Sequence, residues 1–339
     1  MSELLRKLAV HIRSAPSPEI HVVAGQALTE DEPIQLASAE PKQMAADLEG
    51  RTIDGVPVGS PEIGRFGYFM DGMERQRVIL YCSMIPVIYG YVAAVVRERG
   101  ADRRMRTHNG KGTVREALYL PRRLVTLGSL YDAGLDIVDT ENEGNPIEEH
   151  PMMLLEAAKK RVSSVRDRME RDVTSKWLAD FDGRTDWLLV DGSLSGDYSS
   201  YEAPNVVGVI KSHQTQYFPM EEQRKILALK AGERSGVFIP KGRRRPDVYS
   251  WYLRLRPNEG QDVHFGLIRV EAAKCDRTLF AADEISRWLL AERSPLSLPD
   301  FRWDRMIYPI RDCELYLKSL APSRTVLEAS MFGLSAAAR

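Results

Sequence analysis

The sequence predicts an α/β fold: a mixed sheet flanked by helices, with an N-terminal extension. Three observations carry this expectation. Trp187-Leu188-Leu189-Val190 is a continuous apolar run closed by Asp191-Gly192-Ser193, and it reads as a buried strand ending in a turn. Phe66-Gly67-Tyr68-Phe69-Met70 is a second such run, closed by Asp71-Gly72. Between them, residues 146–181 keep helical periodicity, with Val162, Val165, Met169, Val173 and Trp177 on one stripe.

The elements follow in order. Leu4, Leu5, Leu8, Ala9 and Ile12 have helical spacing, and charges at Glu3, Arg6, Lys7 and Arg13 exclude a signal peptide. The apolar face of this helix covers the core or meets a partner. Residues 26–62 are polar and irregular, so residues 1–64 read as an extension offering partner or dimer contacts. Strands at 65–71, 75–82 and 85–97 form a meander, followed by a basic loop from Arg99 to Lys111. In the long helix, Pro146 fits an early position, and Glu148 and Glu149 suit the positive helix start. Further strands are expected at 187–191, 205–211, 248–256 and 263–272, and helices at 281–293 and 312–320. The main domain spans 65–325, and residues 326–339 read as a tail.

A chain of 339 residues suits one large domain or two ordinary ones. A net charge of −1 confines any nucleic-acid site to a local basic patch. Cys82, Cys275 and Cys313 are far apart and show no CxxC spacing, which argues for a reducing, cytoplasmic setting and against zinc or a disulfide framework. Val78 to Val96 carries no charge and has the length of a membrane span. Pro86 and Gly90 interrupt it, and Val, Ile and Tyr dominate it. It therefore reads as two adjacent buried strands, and no membrane association is expected.

Asp-Gly is a common turn pair, and Asp54-Gly55 and Asp182-Gly183 show it in polar surroundings. Asp71 and Asp191 are thus turn residues or functional carboxylates. The functional reading has a definite geometry. Neighbouring strands lie about 4.8 Å apart, and paired metal ions about 3.5–4 Å apart, so carboxylates on adjacent strand ends can share hard cations. Oxygen ligands favour Mg²⁺ or Mn²⁺ over zinc, and such ions serve phosphodiester hydrolysis. Glu170 lies at the edge of the helical stripe, as a site carboxylate or a solvated flank. Lys211 ends a buried strand, where an unpaired ammonium is costly. It meets the site carboxylates, a scissile phosphate or a structural partner. Arg269 and Glu271 share a strand face and either bind DNA or pair with other charges. Lys241-Gly242-Arg243-Arg244-Arg245 is the densest basic run, a phosphate contact or a solvated face.

These pieces together resemble the NurA nuclease family. The matching order is Met70-Asp71-Gly72, the helical segment Arg166–Glu170, Leu189-Val190-Asp191-Gly192-Ser193-Leu194, Val207-Gly208-Val209-Ile210-Lys211-Ser212, Ile268-Arg269-Val270-Glu271, and Tyr308-Pro309-Ile310 before a final helix. It covers roughly residues 65–320. The resemblance implies a ribonuclease H-like fold related to Piwi domains. It implies Mn²⁺- or Mg²⁺-dependent endonuclease and 5′-to-3′ exonuclease action on DNA. It also implies a homodimer docked on a hexameric HerA-type ATPase, in DNA end processing or phage defence. By position, Asp71, Glu170 and Asp191 become metal ligands, and Tyr308 matches the tyrosine ahead of the last helix, expected at the DNA. Two departures stand out. Asp71-Gly72-Met73 replaces the usual Asp-Gly-Ser, and no histidine follows His264. Glu314, or Asp312, is expected to take the place of the missing histidine. The alternative is a catalytically weakened adaptor that regulates the ATPase ring.

Overall fold

The computed structural model describes residues 3–14, 20–22, 46–47, 53–125, 134–141, 147–180, 185–194, 205–212, 215–240, 248–294 and 305–337. In chain order these form α1 (Glu3–Ser14), β1 (Ile20–Val22), β2 (Ala46–Asp47), β3 (Val56–Pro57), β4 (Phe66–Cys82), β5 (Ile85–Arg99), β6 (Met105–Thr107), β7 (Thr113–Leu120) and β8 (Ile137–Asp139). There follow α2 (Pro151–Ala179), β9 (Trp187–Asp191), β10 (Val206–Ile210), α3 (Met220–Leu227), β11 (Glu233–Arg234), β12 (Phe238–Ile239), β13 (Val248–Arg254) and β14 (Leu267–Ala273). The chain closes with α4 (Asp276–Phe280), α5 (Ala282–Glu292), α6 (Tyr308–Leu320) and α7 (Arg324–Ala337).

One large mixed sheet runs in the order β2-β12-β13-β14-β10-β9-β4-β5-β7-β8. At its centre β4, β5 and β7 are antiparallel neighbours. After α2 the chain returns, and β9 pairs parallel with β4 and β10 parallel with β9. Strands β14 and β13 extend the sheet antiparallel from β10. Both faces are covered, which is why these strands read as near-continuous apolar runs.

The α2 stripe of Val162, Val165, Met169, Val173 and Trp177 packs on Tyr68, Met70, Val92, Leu188 and Val190. On the other face α1, α5 and α6 cover Phe66, Phe69, Val95, Trp187, Leu189 and Val209. Leu4, Leu5, Leu8, Ala9 and Ile12 of α1 all lie in that core. Of the two readings of this apolar face, cover for the core and contact with a partner, the structure shows the first. The expected tail is also corrected. Residues 324–337 form a helix, and it packs against α1.

The expected strands 65–71 and 75–82 are one continuous strand, β4, so Asp71-Gly72 is no turn. The break expected at 72–74 is absent, and the polar residues that follow have partners across the fold. Glu74 accepts from the Ser163 hydroxyl on α2 at 2.8 Å, and Arg75 donates to the Pro322 carbonyl at 3.2 Å. The long helix begins later than expected, with Pro151 in its first turn and the His150 ring accepting from the Met152 N–H at 3.3 Å. Among the described residues no helix is long and apolar enough to cross a membrane.

Candidate metal centre

Strand alternation sorts the charged residues between the two faces. Side chains two residues apart share a face. Asp71 and Asp191 therefore project with Phe69 and Leu189 toward α6, while Met70 and Val190 face α2. The parallel register sets Met70 beside Val190, so the next residues, Asp71 and Asp191, are neighbours across the ladder. Lys211 follows β10, two residues past Val209 on the same side.

Helix α6 supplies the third acid. Cys313 and Leu317 seat the helix in the core, and Glu314 between them reaches the sheet. One carboxylate oxygen from each of Asp71, Asp191 and Glu314 lies within 4.8 Å of the other two. Asp71 is buried, and its Oδ1 accepts from the Gly72 N–H at 2.8 Å. Lys211 Nζ lies 2.8 Å from Asp191 Oδ2, and Arg311 Nη1 lies 2.7 Å from Glu314 Oε2.

The electrostatics follow from crowding. Burial, and then the charge of Asp191, push the Asp71 carboxyl well above the usual range, against the pull of Lys211. Burial alone would lower the Lys211 ammonium; Asp191, Asp71 and Glu314 outweigh it and hold it above its ordinary value. Three acids converge here against two cations, Lys211 and Arg311. That imbalance, with an all-oxygen donor set, fits a hard divalent cation such as Mg²⁺ or Mn²⁺.

The choice left open between Glu314 and Asp312 is resolved by geometry. Asp312 turns away and accepts from Arg97 Nε at 2.8 Å. Glu170 is not among the three converging groups. It lies on α2, across the sheet from Glu314, and fills the space left by Gly72, where an added Cβ would sit 2.1 Å from Glu170 Oε1. Its carboxylate lies 3.3 Å from Arg166 Nε, and burial pushes its pKa up to about 7. Gly72 is thus a close-approach glycine, whereas Gly192, at φ +117, makes the turn that its sequence suggests.

Of the two readings of Arg269, DNA contact and charge pairing, the structure shows the pair. Its guanidinium is 4% exposed, lies over the Tyr217 ring, bonds Glu271 and donates to Ser250 Oγ at 3.1 Å. Tyr308 is half exposed at the first position of α6. Lys241, Arg243, Arg244 and Arg245 lie outside the described residues.

Sequence reasoning missed the role of Glu271. Its Oε2 accepts from the Leu194 N–H at 2.9 Å, which ties down the loop that follows Asp191. The available signal was a charged pair, Arg269 and Glu271, inside an otherwise apolar strand. Comparison with protein-family models gives no match, and comparison with curated proteins gives none.

Proposed function

We propose that this chain is a divalent-metal-dependent deoxyribonuclease of ribonuclease H-like type, similar to NurA nucleases and working with a hexameric HerA-type ATPase. The observation that carries the reading is the convergence of Asp71, Asp191 and Glu314 where β9, parallel to β4, ends. The order β7-β5-β4-β9-β10, antiparallel on one side and parallel on the other, supports the ribonuclease H-like assignment. The family, the homodimer and the ATPase partner rest on the ordered sequence motifs.

In this reading Asp71, Asp191 and Glu314 hold Mn²⁺ or Mg²⁺. A bound ion of this kind activates water and stabilises the leaving oxygen of a phosphodiester. Lys211 fixes the Asp191 carboxylate and places a positive charge beside it, where a scissile phosphate gains from it. Asp71 is buried beside the apolar core, where such interactions are stronger than in water.

One observation favours the second reading, a non-catalytic adaptor. Asp191 and Glu314 already have cationic partners in Lys211 and Arg311. The deciding experiment is DNA cleavage by the purified chain after chelation and metal add-back. Restoration by Mn²⁺ or Mg²⁺ supports the nuclease. Absence of cleavage under every metal, alone and with the ATPase, leaves the adaptor.

A further inference from the structure

Two adjoining recesses open where β4 and β9 begin, and they share Arg65. The first, of about 350 Å³, is walled by Trp187, Trp288, Arg277 and Phe280. The second, of about 490 Å³, includes Arg103 and Tyr308.

The first recess pairs a rigid aromatic floor with a free aromatic edge. Trp187 and Trp288 meet edge to face, with centroids 5.2 Å apart. Gly64 lets the chain pass tightly over this floor, since a Cβ there would come within 2.2 Å of Trp288 Cγ. Phe280, at the end of α4, is 85% exposed, more than any other large apolar residue described. Burying a phenylalanine is favourable, and this ring stands in the wall of a recess.

The charges select the partner. Arg65, Arg103 and Arg277 are exposed. Among the described residues none of Arg65, Arg103 and Arg277 is paired with a carboxylate. Of the acids that line the recesses, Glu292 is taken up by Arg99 at 2.6 Å, which leaves Glu284 and Asp186 against three arginines. Phe280 and Tyr308, exposed on a surface that also carries Arg277, Arg65 and Arg103, suit a single nucleic-acid strand. Bases stack on the rings, and phosphates meet the guanidiniums.

The placement relates this surface to the acids. Phe66 and Trp187 are register partners, and Asp71 and Asp191 lie five and four residues further along the same two strands. At roughly 3.3 Å per residue this is about 13–17 Å. Helix α6 joins the two places. Tyr308 stands at its start in the wall of the second recess, and Glu314 lies about 9 Å further along it.

We propose that the surface from Phe280 and Arg277 through Arg65 to Tyr308 is a single-strand platform that holds one DNA strand a few nucleotides from the acidic centre. This rests on the nuclease reading for its biological sense, but strand binding is measurable without cleavage. The experiment is fluorescence anisotropy of a labelled oligo-dT strand with the full chain in EDTA, titrated over salt. Phe280→Ala should weaken binding about tenfold, the loss of one stacked base, and Phe280→Trp should restore it. Arg65→Ala with Arg277→Ala should flatten the slope of log affinity against log salt by about 1.4, two phosphate contacts. Circular dichroism checks that each variant is folded.

Wild-type binding with no change in these variants overturns the platform, as does a wild-type chain that binds no strand. A chain whose Phe280 and Arg65/Arg277 variants lose the strand as expected, but which never cleaves DNA, overturns only the nuclease reading.

Discussion

Glu271 faces Gly208 across the β10–β14 ladder and bonds past it to the Leu194 N–H, 2.9 Å away. The missing side chain at Gly208 makes this possible. A Cβ there would lie 2.6 Å from the Gly192 carbonyl oxygen, inside the loop that follows Asp191. The buried Arg269–Glu271 pair therefore acts at a distance of two strands, on the backbone that aims a metal-site carboxylate.

Gly208→Ala is expected to push that loop off β10, at a cost on the order of 1–3 kcal/mol, and to weaken metal binding. Glu271→Gln leaves the Arg269 charge buried without its partner, on the order of 3–5 kcal/mol. Urea denaturation and Mn²⁺ titration measure the two effects. Stability and metal affinity both unchanged in Gly208→Ala would remove the argument that this glycine serves close approach.

Asp191→Asn and Asp71→Asn keep shape and remove charge. Each should abolish DNA cleavage while leaving a folded chain. Burial and the neighbouring Asp191 disfavour the ionised Asp71 carboxylate, so Asp71→Asn should leave the apo-protein at least as stable as the parent. Full cleavage by either purified variant would dismiss the site.

Glu314 and Asp312 should separate cleanly. Glu314→Gln is expected to weaken metal binding and cut activity at least tenfold. Asp312→Asn loses only its link to Arg97, and about 1 kcal/mol or less of stability, as for other partly exposed pairs. The opposite ranking in a metal titration would reassign the third ligand.

Glu170 predicts a pH signature in the metal-free chain. Its carboxyl titrates at about 7 when folded, against an ordinary 4.5. Between these values the folded state holds a proton that the unfolded chain has released. Its contribution is therefore full below pH 4.5 and is lost as pH rises through about 7, by up to roughly 3 kcal/mol. Glu170→Gln should stabilise the protein at pH 8 and not at pH 4, in denaturation with EDTA present. An equal effect at both values would show that burial does not govern this residue.

Much of the sheet was legible because buried strands announce themselves as apolar runs. Trp187–Val190, Val206–Ile210 and the uncharged Val78–Val96 stretch all fall in strands. Asp71 and Asp191 were visible as carboxylates closing such runs. What misled was the Asp-Gly pair inside β4. Asp71-Gly72 looks like a turn between strands 65–71 and 75–82, yet β4 runs straight through it. The place of Glu170 was illegible for a related reason. Its position on α2 follows from periodicity, but which face of the sheet α2 covers depends on topology. Glu314 was nameable only as a replacement for a missing histidine, and the packing of Cys313 and Leu317 is what turns it inward.

The central claim is that Asp71, Asp191 and Glu314 together hold a divalent cation. Anomalous diffraction from a crystal soaked in Mn²⁺ tests it most directly. The account predicts a peak bonded to oxygens of all three carboxylates, and its loss in Asp191→Asn. A soaked crystal with no peak there, and with Lys211 still bonded to Asp191 and Arg311 to Glu314, would contradict it.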